Sequence, residues 1–88
     1  MVNRRRSELD IINEILKLSS NGAKKTEILY QGNLSYSQLQ NYLLFLIEKD
    51  ILEEKIIQKD NGKCKIYIRT KKGDSLLENI NKTLSYLE

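Results

Sequence analysis

The sequence predicts a small α+β fold, mainly helical, in which three helices, a β-hairpin and a final helix follow one another along 88 residues. Three observations predict it. Apolar residues recur at three- and four-residue spacing before residue 50 and again after residue 70. Between these regions the spacing changes to two, and an Asn-Gly pair separates two short apolar runs. Serine or threonine also stands where three of the helices begin, and its hydroxyl can cap a helix N-terminus.

The composition excludes several classes of protein. A chain of 88 residues fits one domain, and its apolar runs are too short for a transmembrane segment or a signal peptide. One cysteine and no histidine leave no internal disulfide, no ordinary transition-metal site and no usual nucleophile–base pair. We therefore expect a cytoplasmic protein that is not an enzyme, has no cofactor and shows no small-molecule ligand.

The first helix is predicted to begin at Ser7, which can cap it. Its apolar spacing predicts a buried stripe, with Ile11 near the margin of that stripe. The stripe comprises Leu9, Ile12, Ile15 and Leu16. A second, short helix is predicted from about Lys24 or Lys25 to Tyr30, and a tight turn follows at residues 31–33.

The third helix begins at Ser35, and the rest of the chain is organised around it. Gln38 completes a capping box with Ser35, and the buried positions are Leu39, Leu43 and Leu46. The N-terminal part of its outer side carries uncharged hydroxyl and amide groups, which can pair with base edges in a DNA major groove. The predicted base-reading residues are Ser37, Gln38, Gln40 and Asn41. The alternative is an ordinary surface helix with a polar face.

A helix, a short glycine-bearing turn and a second helix capped by serine form a helix-turn-helix. Residues 51–59 carry two pairs of apolar residues, and residues 63–70 alternate as a strand, with Asn61-Gly62 between the two runs. A hairpin in this place is a wing. We predict that Ile66 and Ile68 face inward, with Tyr67 outward. The wing lysines can meet phosphates, or they can simply keep the hairpin soluble.

The last helix is predicted to start after Thr70 and to run to about Leu87. Its apolar residues step by three, four and three, which is the spacing of a coiled-coil seam. The seam comprises Leu77, Ile80, Leu84 and Leu87. It can fold back on its own domain or pair with a second copy of the chain, and we favour the homodimer. Leu44 and Phe45 are apparently surplus on the third helix and could extend such an interface.

The charge distribution suggests one basic face. The net charge is +3 and the isoelectric point is about 9.0, which is modest evidence for a polyanionic partner. The predicted phosphate-binding residues are Arg4, Arg5, Arg6, Lys24, Lys25, Ser35, Tyr36, Lys59, Lys63 and Lys65. The arginine triplet could instead enter a minor groove or act as a solubilising tail. The chain thus divides into a basic arm at 1–6, a DNA-binding domain at 7–70 and a C-terminal helix at 71–88.

Four segments resemble the archaeal single-domain winged-helix family of predicted transcriptional regulators and small chromatin-associated DNA-binding proteins. They are residues 5–7, residues 21–28, residues 33–49 without 40, 41 and 44, and residues 70–77 without 74 and 75. The resemblance implies that the helix from Ser35 enters the major groove, that the wing touches the flanking backbone or minor groove, and that the last helix mediates dimerisation. Asp50 stands where that family usually has glycine, and Arg69 stands where it commonly has an apolar residue.

The leading hypothesis is a sequence-specific double-stranded DNA-binding protein, a dimeric transcriptional regulator associated with the nucleoid. One alternative is an architectural protein that coats DNA with little sequence preference. Another is a protein–protein adaptor, because winged helices also serve in assemblies and a fold alone does not fix function. Exposure of Leu44 and Phe45 would favour the adaptor.

Overall fold

The computed structural model describes residues 7–87, and its order of elements confirms the prediction. The elements are α1 (Glu8–Leu18), α2 (Lys25–Gly32), α3 (Tyr36–Glu48), β1 (Leu52–Lys59), β2 (Gly62–Arg69) and α4 (Lys71–Ser85). The fold is therefore a mainly helical winged helix-turn-helix, with a two-stranded antiparallel hairpin as its wing.

Side-chain caps fix three of the four helix starts where they were predicted. The Ser7 hydroxyl accepts from the Asp10 amide, and the Asp10 carboxylate accepts from the Ser7 amide at 2.8 Å. Ser35 begins α3 through a capping box of the same kind. The Thr70 hydroxyl accepts from the Gly73 amide at 3.0 Å and so begins α4. These bonds pair amides that have no partner within the helix.

All four helices and the base of the hairpin contribute to one core. Its buried apolar residues are Ile11, Ile15, Leu16, Ala23, Ile28, Leu39, Leu43, Leu46, Ile51, Leu52, Tyr67 and Ile80. The predicted stripe of α1 was wrong at Leu9, which is 45% exposed, whereas Ile11 is buried. Leu9 lies at nearly the same angle around the helix as buried Leu16, seven residues later, so its exposure follows from its place in the first turn of α1 and not from its face.

The hairpin pairs Leu52 with Arg69 at its base and Lys59 with Gly62 at its tip, around a two-residue turn. Ala23 adds a single bridge to the other edge of β2, because its N–H and C=O both bond to Tyr67, at 2.9 and 2.8 Å. The predicted orientation of β2 was wrong. Tyr67 is buried beside Ala23, while Ile66 and Ile68 are only half-buried.

Hydrogen bonds and an ion pair join the hairpin to α4. The Ile51 carbonyl accepts from the Thr70 amide at 3.1 Å and from the Thr70 hydroxyl at 3.0 Å. Arg69 donates from its guanidinium to the Leu16 carbonyl at 2.8 Å and also forms an ion pair with Asp74. Arg69 therefore connects the end of α1, the end of β2 and the first turn of α4.

Asp50 ends the turn between α3 and β1 in the left-handed region, with φ of 59°. A non-glycine residue there is held at a conformational cost, although aspartate tolerates it better than most residues. We expect Asp50→Gly to raise the free energy of unfolding by about 0.5–1 kcal/mol, as measured by urea denaturation. Asp50→Ala should lower it, and a loss of stability in both variants would contradict this explanation.

Candidate nucleic-acid interface

The polar residues at the start of α3 lie on the solvent side of a helix whose other side is buried. Ser37, Gln38 and Asn41 are exposed, and Gln40 is half-buried. The buried positions on the opposite side are those predicted, Leu39, Leu43 and Leu46. Because α3 packs on the core through these leucines, its polar side chains are held on a rigid element rather than on a loop.

The four predicted base-reading residues do not share one orientation. Successive residues of a helix are about 100° apart, so Ser37 and Asn41, four apart, project outward together. Gln38 and Asn41 line a cleft of about 390 Å³ whose other walls include Glu8 and Phe45. Gln40 instead turns toward α2, where it meets Lys25.

Two of the amide groups already have protein partners. The Gln38 carbonyl oxygen accepts from the Ser35 amide at 3.1 Å, in the capping box of α3. The Gln40 carbonyl oxygen accepts from the Lys25 ammonium at 2.7 Å. That ammonium also lies 5.3 Å from the centre of the Tyr36 ring, within the range of a cation–π contact. Lys25, Tyr36 and Gln40 therefore form one cluster that joins α2 to α3.

The wing lysines are exposed but are divided between the two faces of the hairpin. Side chains alternate along a strand, so Lys63 and Lys65 share the face of Tyr67, which is buried against the helices. Lys59 is opposite Gly62 in the register and projects from the other face. Lys63 and Lys65 thus continue the side of the wing that turns toward the helical body.

Glu54 places a negative charge among these cations. It is opposite Tyr67 in the register, and its carboxylate lies 3.7 Å from the Lys65 ammonium. Burial raises the pKa of the Tyr67 phenol to about 12, and the Glu54 charge, a hydrogen bond to that carboxylate and nearby Tyr36 add to the rise. Neither Glu54 nor Tyr67 was predicted for this region. Pairing across the strands could have suggested their contact, but only with the register known.

The raised pKa of Tyr67 predicts a loss of stability at high pH. Below about pH 10 the phenol is protonated in both the folded and the unfolded chain, and its contribution is constant. Between 10.0 and about 12 only the unfolded chain loses this proton, so the free energy of unfolding should fall by about 1.4 kcal/mol per pH unit. We expect urea denaturation at pH 9–12 to show that the wild type loses stability relative to Tyr67→Phe as the pH rises. A constant difference would contradict the assignment.

The remaining phosphate-binding candidates lie around this cluster or outside the described residues. Lys24 is half-buried at the start of α2, where its amide donates to the Glu27 carboxylate at 3.0 Å. Ser35 and Tyr36 are exposed at the start of α3. Arg4, Arg5 and Arg6 lie outside the described residues.

Three residues of the predicted dimer seam pack on their own chain. Ile80 is buried, and Leu77 and Leu84 are partly buried against the core. Leu87 is 66% exposed, and Tyr86 beside it is exposed too. Of the two alternatives for this helix, Leu77, Ile80 and Leu84 fold back on their own domain. Tyr86 and Leu87, just after the end of α4, are left exposed.

The part of the chain that the structure describes contains neither a candidate membrane-spanning helix nor a candidate metal site. Across residues 7–87, no helix combines the length and the apolar composition needed to cross a bilayer. Within the same residues, no three side chains of the His, Cys, Asp or Glu type are grouped to hold a metal ion.

A helix-turn-helix followed by a hairpin wing defines a class of proteins, and comparison with known families agrees. A model of the winged helix-turn-helix family matches residues 5–88, and the chain belongs to this family. It is 38% identical over 77 residues to the uncharacterized protein MJ0290 of Methanocaldococcus jannaschii, with 86% of this chain aligned. The chain spans only 33% of the length of that relative.

Solved structures of other proteins share the fold. The DNA-binding protein Sso10a-2 of Sulfolobus solfataricus matches with a TM-score of 0.79 and 27% identity, over 92% of this chain and 81% of its own. A PadR family transcription regulator of Clostridium difficile matches with a TM-score of 0.80 over 88% of both chains. Its 19% identity shows the fold alone.

Proposed function

We propose that this protein binds double-stranded DNA with sequence specificity and acts as a dimeric transcriptional regulator. The observation that carries the proposal is the exposed, uncharged polar side of α3, with Lys25 on one flank and the wing lysines beyond it. Hydroxyl and amide groups on a rigid helix suit base edges, whereas lysines suit phosphates. Membership of the winged helix-turn-helix family supports the proposal, as does the likeness to Sso10a-2, a DNA-binding protein.

The proposed mechanism separates reading from positioning. The start of α3 enters the major groove, and its base-reading residues are Ser37, Gln38, Gln40 and Asn41. The wing lies along the flanking backbone, where Lys59, Lys63 and Lys65 meet phosphates. Lys24, Lys25, Ser35 and Tyr36 position the helix, together with the arginines of the arm. The protein acts by binding rather than by catalysis, in the cytoplasm and at the nucleoid.

The proposed homodimer forms through the C-terminal part of α4. The seam residues are Leu77, Ile80, Leu84 and Leu87, and Leu87 is the most exposed of them. Because Ile80 is buried in its own core, the pairing must be centred nearer the end of the helix. Two-fold symmetry would then place two α3 helices on an inverted repeat.

Exposed apolar residues on α3 also support a second function, that of a protein–protein adaptor. Leu44 is 54% exposed and Phe45 is 46% exposed, so the outer side of α3 becomes apolar in its second half. An adaptor that binds another protein would use such a surface. A dimer interface would cover the same residues, and the experiment below separates the two functions by testing for DNA.

The test is selection from a pool of random double-stranded DNA at two salt concentrations, followed by sequencing. We expect a short enriched motif, and an inverted repeat would also fix the spacing of the dimer. Salt-sensitive binding without a motif would point to an architectural protein and contradict sequence specificity. No binding at low salt would overturn the DNA proposal and favour the adaptor.

Two substitutions separate the proposed roles. Asn41→Ala should relax the preference at one or two base pairs, each worth roughly 1–3 kcal/mol. Lys63→Ala should weaken binding to all sequences alike, because phosphates carry no sequence information. Titration of both variants against the selected site and a scrambled site measures this. Identical behaviour of the two variants would contradict the division into reading and positioning.

A further inference from the structure

The contact between Lys25 and Gln40 fixes which way the Gln40 amide points. A lysine ammonium can only donate hydrogen bonds, so the atom 2.7 Å from Lys25 Nζ must be the carbonyl oxygen. The Gln40 NH₂ group is therefore directed away from the ammonium. This bond is charge-assisted, and Lys25 is held from a second side by the Tyr36 ring.

The same logic applies at Gln38. Its carbonyl oxygen accepts from the Ser35 backbone N–H at 3.1 Å, and a backbone amide is likewise only a donor. Both glutamines at the start of α3 thus have their acceptor oxygens engaged within the protein, and their NH₂ donors remain for a ligand.

This arrangement changes the base that Gln40 is expected to read. A free glutamine recognises adenine by accepting from its N6 amino group while donating to N7. At Gln40, the second lone pair of the oxygen can still accept from an adenine amino group. The partly positive hydrogens of that group would then lie beside the positive charge of the Lys25 ammonium, which disfavours this contact. Guanine offers two acceptors, O6 and N7, to the major groove. Those acceptors match the Gln40 NH₂ group and the adjacent ammonium.

We propose that Lys25 is a specificity-determining residue that holds the Gln40 carbonyl and so makes the pair select guanine over adenine. This inference rests on the proposed function. It assigns Lys25 a positioning role at a base edge in place of the phosphate contact expected from its charge alone.

The test compares base preferences in DNA selected by five forms of the full chain, the wild type and four variants. Gln40→Ala identifies the base position that Gln40 faces, as the position whose preference is lost. The wild type should prefer guanine there. Lys25→Met cannot hold the carbonyl, and we expect adenine to gain on guanine by about tenfold at that position, within the range of one good base contact. Lys24→Met removes the same charge on the neighbouring residue and should leave the preference unchanged.

The base preference distinguishes this role of Lys25 from a general contribution to DNA affinity. A merely structural or electrostatic role of Lys25 would weaken binding to all sites equally, so equal preferences in Lys25→Met and Lys24→Met would overturn the inference. Lys25→Arg retains a side chain that only donates, and it should keep guanine. DNA binding without any motif would overturn the inference but not DNA binding itself. No binding by the wild type would overturn the proposed function, and the inference with it.

Discussion

Replacing Gly73 by alanine should destabilise the fold by about 3 kcal/mol or more, although alanine is the better helix former. A Cβ at this position would collide with the Ile51 carbonyl oxygen and would lie 2.7 Å from Arg69 Cγ. The carbonyl cannot move aside freely, because it accepts two hydrogen bonds from Thr70. The gain from helix propensity, about 1 kcal/mol, is too small to offset separation of α4 from the start of β1.

Urea denaturation of Gly73→Ala measures this effect, and Gly32→Ala is the matched control. Gly32 is also a buried glycine within a helix, but a Cβ there would meet Leu34 at 3.6 Å, an ordinary packing distance. We expect Gly32→Ala to change the free energy of unfolding by less than about 1 kcal/mol. Equal effects of the two substitutions would show that close packing at Gly73 is not what requires glycine.

DNA affinity should fall about a thousandfold between 50 and 200 mM salt if about six cations contact phosphates. Each phosphate contact releases condensed counterions, so the slope of log affinity against log salt should be near −5, at about 0.9 for each contact. Fluorescence anisotropy titrations of a labelled duplex across this range give the slope. A flat dependence would contradict a mechanism in which lysines and arginines hold the backbone.

Two lysines make a matched pair for this measurement. Lys63→Met removes an exposed wing cation and should make the slope less steep by about 0.9. Lys82→Met removes an exposed cation of α4 that lies 3.5 Å from Glu78, away from the wing and α3. It should leave the slope unchanged, and an equal effect of both variants would indicate that only net charge matters.

The order of elements could be predicted because each depends on local chemistry. Ser7, Ser35 and Thr70 were identified as caps by residue type and spacing, and each accepts the expected backbone amide. The leucines of α3 were predicted from helical period alone. The Asn61-Gly62 pair predicted the hairpin, although the two turn residues are Asp60 and Asn61, and Gly62, with φ of 147°, is the first residue of β2.

The errors and omissions concern contacts between residues distant in sequence. The alternation of β2 predicts two opposite faces but not which one meets the core, and the bridge to Ala23 is what buries Tyr67. Arg69 stands where an apolar residue is common, and its bond to the Leu16 carbonyl explains this position. The bond from Lys25 to Gln40 joins residues 15 positions apart, and no local sequence pattern predicts it. The candidate site was therefore predicted as a set of residue types, and their orientation was not.

The hairpin has an anchored base and an outer part without support. Leu52 and Tyr67 are buried at the base, whereas the strand positions from Lys59 to Lys63 around the turn are exposed. Local opening needs little free energy where few apolar contacts are lost. Amide hydrogens near the turn should therefore exchange with solvent far sooner than those beside Ala23, which are released only when the whole domain unfolds. In the proposed complex with DNA, the tip of the wing would thus adjust to the local path of the phosphate backbone while the core beneath it stays intact.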